Sequence, residues 1–228
     1  MKALIITGII CPATFAVLYF LSRNVAQKKS DKIIDTLYNG GSESLFLKKQ
    51  FLGIIALSVP VIFYFMLNLS AQKLLSLTLS GSWFYSWIIA MLLCLFISSR
   101  ATANQLKKLK KQNSGVTKPA NITALFTGRI IFLFLYELFF RGVLLFSIAA
   151  IAGNIPSIFI NTLLYAVLHA HCSRNEIIAT IPFGIVTCLL SIAANSIWPA
   201  ILLHIIIAIT TEGMLIFSIK KPCKLIIT

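Results

Sequence analysis

Charge is what this sequence has least of. Only 11% of its 228 residues are Asp, Glu, Lys or Arg, about half the share in soluble domains. Acids are the scarcer sign: six Asp and Glu stand against twenty Lys and Arg. Segment 100–128, which contains QLKKLKKQ, has no acid at all. The five cysteines, Cys11, Cys94, Cys172, Cys188 and Cys223, are scattered, and none forms a Cys-x-x-Cys pair. A disulfide framework is therefore not indicated. Internal repeats are absent, as is any soluble domain. What fills the chain instead is apolar residue, 58% of the total, with a mean hydropathy of +0.92. A single soluble core cannot hide that much apolar surface. The expected class is all-α: a multi-pass transmembrane helical bundle.

Seven apolar runs are long enough, or nearly so, to cross a bilayer. They are Ala3–Leu21, Phe51–Leu69 with Pro60 inside it as an expected kink, Trp83–Ser99, Ile130–Ile151, Ile155–His171, Ile177–Ala194 and Trp198–Ile219. Pro199 falls in the first turn of the last run, where a missing N–H costs little. The first run has only Lys2 before it and no small-residue cleavage pattern after it, so it reads as a retained helix and not a signal peptide. Cys11 follows Ile10, a poor lipidation context. Segment 22–50 has helical character around KIIDTLY, then a break at Asn39-Gly40-Gly41.

Basic residues orient the bundle. With the N-terminus outside and the C-terminus inside, loops 22–50, 100–129, 172–176 and 220–228 face inward and hold seventeen Lys and Arg, against Lys2 and Lys73 outside. Such asymmetry follows the positive-inside rule, and Trp83, Trp87 and Trp198 fall at or near the expected outer ends. The net charge of +14 is thereby assigned to membrane topology and anionic lipid headgroups; no nucleic acid partner is expected. The expected location is a membrane, as an integral multi-pass protein.

One run breaks the apolar rule. YELFFRG (136–142) puts Glu137 and Arg141 in the middle of a span, where ionisable side chains are expensive and need a reason. Their i, i+4 spacing, acid first, suits an ion pair. A purely structural pair accounts for that much. Thr162, Tyr165 and His169 share a face on the fifth run, and His204, Ala208 and Thr211 on the seventh, with Glu212 nearby. Two intramembrane histidines on separate helices, with Glu137 on a third, are harder to assign to packing alone. His169 and His171 diverge by about 200° on a helix. The sequence offers no complete metal ligand set, and neither a metal nor another cofactor is expected.

These motifs resemble a family. YELFFRG (136–142), YAVLH (165–169) and HIIIA (204–208), with IPFGIVTCLLS (181–191) and NSIWPAILLH (195–204), are similar to the CPBP intramembrane proteases. That family includes the CAAX prenyl endopeptidases and the bacterial Abi, bacteriocin-immunity-associated proteins. The likeness covers about residues 125–215. It implies a core of four spans at 125–219, after a three-span region at 1–124 with basic cytoplasmic loops, and before a basic tail at 220–228. It also implies a glutamate- and histidine-dependent peptide hydrolase acting on membrane-embedded peptides or proteins.

Residue by residue, Glu137, Arg141, His169 and His204 match the family's pattern, and Tyr165 stands for its Phe. Two positions depart. Tyr136 occupies the place of the first Glu, which with the His of the second motif is thought to activate water. Ala208 occupies the place of the Asn that, with the last His, is thought to stabilise the oxyanion. A tyrosine, with a reference pKa of about 10, is neutral near pH 7 and cannot serve as that base. Glu137, turned about 100° away along the helix and paired with Arg141, is a weaker base. Losing one oxyanion donor typically lowers turnover by about 10²–10³, unless Thr211 or Asn195 substitutes. The reading is thus a protease-like membrane protein that cleaves, or only binds, its peptide. A pseudoenzyme acting as membrane regulator or immunity-type factor is the alternative, and a small-solute transporter a further one, without an inverted repeat to support it.

Overall fold

A computed structural model describes residues 9–26, 42–67, 69–76, 81–111, 121–170, 172 and 174–220. The described residues form helices and turns, with no strand among them. The order is α1 (Cys11–Ala26), α2 (Glu43–Leu67), a 3₁₀ segment (Leu69–Leu75), α3 (Ser82–Lys111) and α4 (Ile122–Glu137). A π-helical segment (Leu138–Leu144) then runs into α5 (Leu145–Ala152), followed by α6 (Asn154–Leu168), α7 (Arg174–Ala194) and α8 (Trp198–Lys220).

Five rods are long and apolar enough to cross a membrane: α2, α3, the continuous Ile122–Ala152 rod, α7 and α8. Two apolar helices are shorter, Cys11–Leu21 and Asn154–Leu168. Each of the seven expected spans therefore corresponds to a helix, although the first begins before the described residues. Their lipid-facing sides carry large exposed apolar groups: Phe51, Ile55, Val59, Phe63 and Met66 on α2, and Tyr85, Ile89, Leu92 and Phe96 on α3. An apolar surface of this extent is the signature of a membrane bundle, not of a protein that meets water.

Several helices run past the apolar segments that announce them. α2 begins at Glu43, α3 continues to Lys111, and α4 starts at Ile122. Residues 42–50, 100–111 and 122–129, expected in loops, are helical apart from Ser42. Hydropathy marks where the hydrocarbon ends. Leu, Lys, Gln and Ala are good helix formers beyond that point, so QLKKLKK is the tail of α3. KIIDTLY, the Asn39-Gly40-Gly41 break, Lys118, Cys223 and the 220s tail beyond Lys220 lie outside the described residues. α2 passes through Pro60 without breaking.

The Ile122–Ala152 rod is central. In its most apolar window 67% of residues are buried, against 6% for α3. Around it pack Leu57, Val61 and Tyr64 of α2, Leu18 of α1, Tyr165 and Leu168 of α6, and Ile197 and Ile201 at the start of α8. Gly153, at φ +86°, turns the chain from α5 into α6 in one residue. At the other junction Asn195 adopts φ +46°, a left-handed conformation that Asn tolerates. Ser196 and Ile197 then bond to the carbonyls of the 3₁₀ segment and the residue after it: Ile197 N–H reaches Leu74 O at 3.1 Å and Ser196 Oγ reaches Ser76 O at 2.8 Å.

Candidate functional site

The π segment explains why YELFFRG can sit in mid-membrane. Every residue from Tyr136 to Leu145 is buried. Phe140 O accepts from Leu145 N–H within the segment and takes a second bond from the side: Asn161 Nδ2 donates to it at 2.6 Å, and Cys188 Sγ donates to Asn161 Oδ1 at 3.3 Å. π turns of this kind are frequent at functional sites.

Glu137, fully buried, stands at the start of that segment. Its Oε1 lies 2.6 Å from His204 Nδ1, and its Oε2 lies 3.4 Å from Arg141 Nε. The expected Glu137–Arg141 pair is therefore present, but its 3.4 Å contact is longer than the His204 contact. Arg141, also fully buried, directs its hydrogen bonds elsewhere. Its Nη2 and Nε donate to Thr187 Oγ1 at 2.7 and 3.1 Å, and Thr187 in turn donates to Phe183 O at 2.8 Å. The guanidinium also lies 4.4 Å from the centre of the Tyr165 ring, in cation–π contact.

Counted from the ends of their apolar runs, Glu137 and His204 would stand several ångströms apart in depth. The 2.6 Å contact removes that gap. α4 begins at Ile122, eight residues before its apolar run, so counting from that hydropathy boundary misplaces the depth of Glu137.

The carboxylate can only accept from His204 Nδ1, which fixes the proton on Nδ1 and turns Nε2 away from the acid. His169 is arranged alike. Its Nδ1 donates to Tyr165 O at 3.0 Å, leaving Nε2 free, and its ring lies 4.7 Å from that of Tyr165. His169 caps the end of α6, and no direct contact joins it to Glu137. It meets the others through Tyr165, whose ring lies 5.7 Å from Tyr136 and 6.2 Å from Phe183, which packs 5.5 Å from His204.

Tyr136 lies inside this aromatic cage. Its ring is 4.7 Å from Phe140, 5.8 Å from Phe132 and 6.2 Å from His204. Its hydroxyl is buried with no hydrogen-bond partner among the described residues. Ala208, one turn beyond His204, is buried too and brings no donor. Neither suggested substitute takes its place. Thr211 Oγ1 donates to Ile207 O at 2.8 Å, on its own helix. Asn195 is exposed in the turn before α8. Thr162 belongs to packing: its Cγ2 would lie 3.1 Å from a Cβ at Gly184, where α6 and α7 approach closely.

Thr187 and Asn161 escaped the sequence reading. Their only signal is helical spacing, Thr187 four residues after Phe183 and Asn161 four before Tyr165. A third omission is larger. Arg129, counted among loop charges, makes an ion pair with Glu212 at 2.9 Å between α4 and α8. No cluster of three or more His, Cys, Asp or Glu side chains is placed to hold a metal ion among the described residues; His171 lies outside them.

Residues 118–210 match the family model for Rce1-like proteins, described as type II CAAX prenyl endopeptidase Rce1-like. Over this segment the chain is similar to the CAAX prenyl endopeptidases. The match spans Tyr136, Glu137, Arg141, His169, His204 and Ala208 and stops just short of Glu212. No curated protein and no solved structure matches the chain. The resemblance read from the three motifs is thus supported, with the likeness beginning seven residues earlier and ending five earlier than the motifs suggested.

Proposed function

We propose that this chain is a CAAX-protease-like protein of a bacterial cytoplasmic membrane that binds a membrane-embedded peptide or protein at the Glu137–His204 cluster and hydrolyses it weakly or not at all. The observation that carries this reading is Tyr136: a neutral phenol with an unpartnered hydroxyl stands where water activation requires a carboxylate. Glu137 does not take over that role. One of its oxygens is engaged by His204 and the other faces Arg141, so it acts as counter-charge for two cationic or polar groups. Ala208 leaves the developing oxyanion one donor short. What remains is a recognition surface. His204 Nε2, His169 Nε2 and the Tyr136 hydroxyl offer three hydrogen-bonding positions within an aromatic enclosure, suited to a peptide backbone. The protein then acts as a membrane regulator or immunity-type factor that holds its partner without cutting it. Basic inner loops rest on anionic headgroups.

The test is a proteolysis assay on the purified protein in detergent or vesicles, with a fluorogenic membrane peptide. Wild type is expected near background. Tyr136→Glu recovers part of the activity, and Tyr136→Glu with Ala208→Asn raises it by orders of magnitude, since base and donor each contribute about 10²–10³ or more. Glu137→Gln lowers folded yield by leaving Arg141 without its counter-charge. A second reading, an active enzyme with Glu137 as base, draws on the short Glu137–His204 contact. Brisk wild-type cleavage that Glu137→Gln abolishes at unchanged folded yield selects that reading and rejects ours.

A further inference from the structure

Two polar links join α4 to α8, and their positions are related. Glu137 meets His204 at 2.6 Å, and Arg129 meets Glu212 at 2.9 Å. Arg129 lies eight residues before Glu137, and Glu212 eight after His204. In an antiparallel pair these are the same step, about 12 Å at 1.5 Å per residue. Both links are therefore satisfied by one register of α4 against α8. Sliding either helix by a turn breaks both at once.

Between the links the seam is apolar. By the same count Leu133, midway between the links on α4, and Ala208, midway on α8, fall level with one another at this register, and both are buried. Leu-on-Ala packing resists a slip only weakly, because aliphatic side chains have no partner preference along a seam. The polar links carry the specificity. Glu212 is a strong one: its side chain is 11% exposed, its Oε1 pairs with Arg129, and its Oε2 is buried without a hydrogen-bond partner. A carboxylate so placed cannot leave its guanidinium without being stranded in a poorly hydrated environment.

We propose that Arg129 and Glu212 are positioning residues: their ion pair sets the register of α4 against α8 at which His204 reaches Glu137. They touch neither member of the site. Their effect on it passes through the helix pair, over about two turns. This holds whether or not the site cuts peptides, so it stands apart from the functional reading above.

The experiment is disulfide trapping in membranes. Leu133→Cys with Ala208→Cys reports the native register; Leu133→Cys with Thr211→Cys reports a slip of nearly one turn. After mild oxidation, cross-linked peptides are identified by mass spectrometry, which separates them from any made by the native cysteines. With Arg129 and Glu212 intact, the 133–208 cross-link dominates. In Arg129→Glu two carboxylates oppose each other and the 133–208 yield falls about tenfold, with 133–211 rising or the protein failing to fold. Exchanging the charges, Arg129→Glu with Glu212→Arg, restores the 133–208 yield to near its starting level. A general loss of stability would not be repaired by the second substitution. The proposal is overturned if Arg129→Glu folds with its 133–208 yield unchanged, or if the exchanged pair restores neither folding nor that cross-link.

Discussion

At the level of single residues, the site joins buried ionisable groups that find partners to a buried phenol, Tyr136, whose hydroxyl finds none. Glu137 has His204 and Arg141; Arg141 has Thr187 and the face of Tyr165. Tyr136 is the exception, and this gives a prediction of unusual sign. A buried hydroxyl without a hydrogen bond costs about 1–3 kcal/mol relative to one that is satisfied. Tyr136→Phe keeps the ring and its contacts with Phe140 and Tyr165 while deleting the orphan oxygen. The ligand-free variant is expected to unfold at the same temperature as wild type or higher, in a thermal melt in detergent. A peptide that hydrogen-bonds to the hydroxyl binds the variant more weakly. A melting point several degrees lower without ligand means that the hydroxyl has a partner in the free protein. Much of this chemistry was legible from sequence, because Glu137, Arg141, His169 and His204 are ionisable groups in apolar runs and announce themselves. Thr187 and Asn161 were not. A hydroxyl or amide on a membrane helix is common, and only the fold reveals that one meets a guanidinium and the other a carbonyl of the π segment.

At the level of elements, hydropathy reveals the number and order of helices but not their ends or their partners. It locates all seven apolar segments and stops each at the hydrocarbon boundary, whereas hydrogen-bonded backbone continues into Glu43–Gln50 and Arg100–Lys111. The same limit hid Arg129, which a count of loop charges places outside the bundle and which pairs instead with Glu212. Register between helices has no sequence signal at all, yet it decides what a substitution at position 208 meets. Asn there is larger than Ala and polar, and by the register of the two polar links it falls level with buried Leu133. Adding volume to a packed seam costs about 1–3 kcal/mol. Ala208→Asn alone is therefore expected to lower folded yield and melting temperature. Leu133→Ala, combined with it, returns the lost volume and recovers much of the stability. In a Tyr136→Glu background, the same pair of changes should give more activity per folded molecule than Ala208→Asn alone. Equal melting temperatures for Ala208→Asn and for the double variant Leu133→Ala with Ala208→Asn would show that Leu133 does not crowd that position.

On the scale of the whole molecule, the two ends of the bundle differ in chemistry. One end gathers the tryptophans. Trp198 Nε1 donates to Leu75 O at 2.7 Å, and Trp87 Nε1 to Pro199 O at 3.2 Å, so the 3₁₀ segment, the start of α3 and the start of α8 are tied together there. The opposite end gathers basic residues: Lys48 near the start of α2, Lys107 and Lys108 near the end of α3, Arg129 near the start of α4 and Arg174 at the start of α7. Glu43 Oε1 accepts from Asn121 N–H at 3.0 Å, which ties the starts of α2 and α4 at that end. Lys73 is the only described Lys or Arg at the tryptophan end. By the positive-inside rule the expected orientation puts the tryptophan end outside and the basic end, with Arg129–Glu212, inside. Reporter fusions check it directly. Alkaline phosphatase, active only outside, is expected to be active when fused after Leu69, and a fluorescent protein that matures only inside is expected to shine when fused after Lys111. Shifting the balance supplies the stricter test. Reversing Lys107 and Lys108 to Glu should leave the orientation unchanged, because acidic residues weigh little in this rule and many inner basic residues remain. The reverse pattern of the two fusions in the unaltered protein would invert the bundle, place the Arg129–Glu212 end outside, and leave the charge asymmetry without a topological cause.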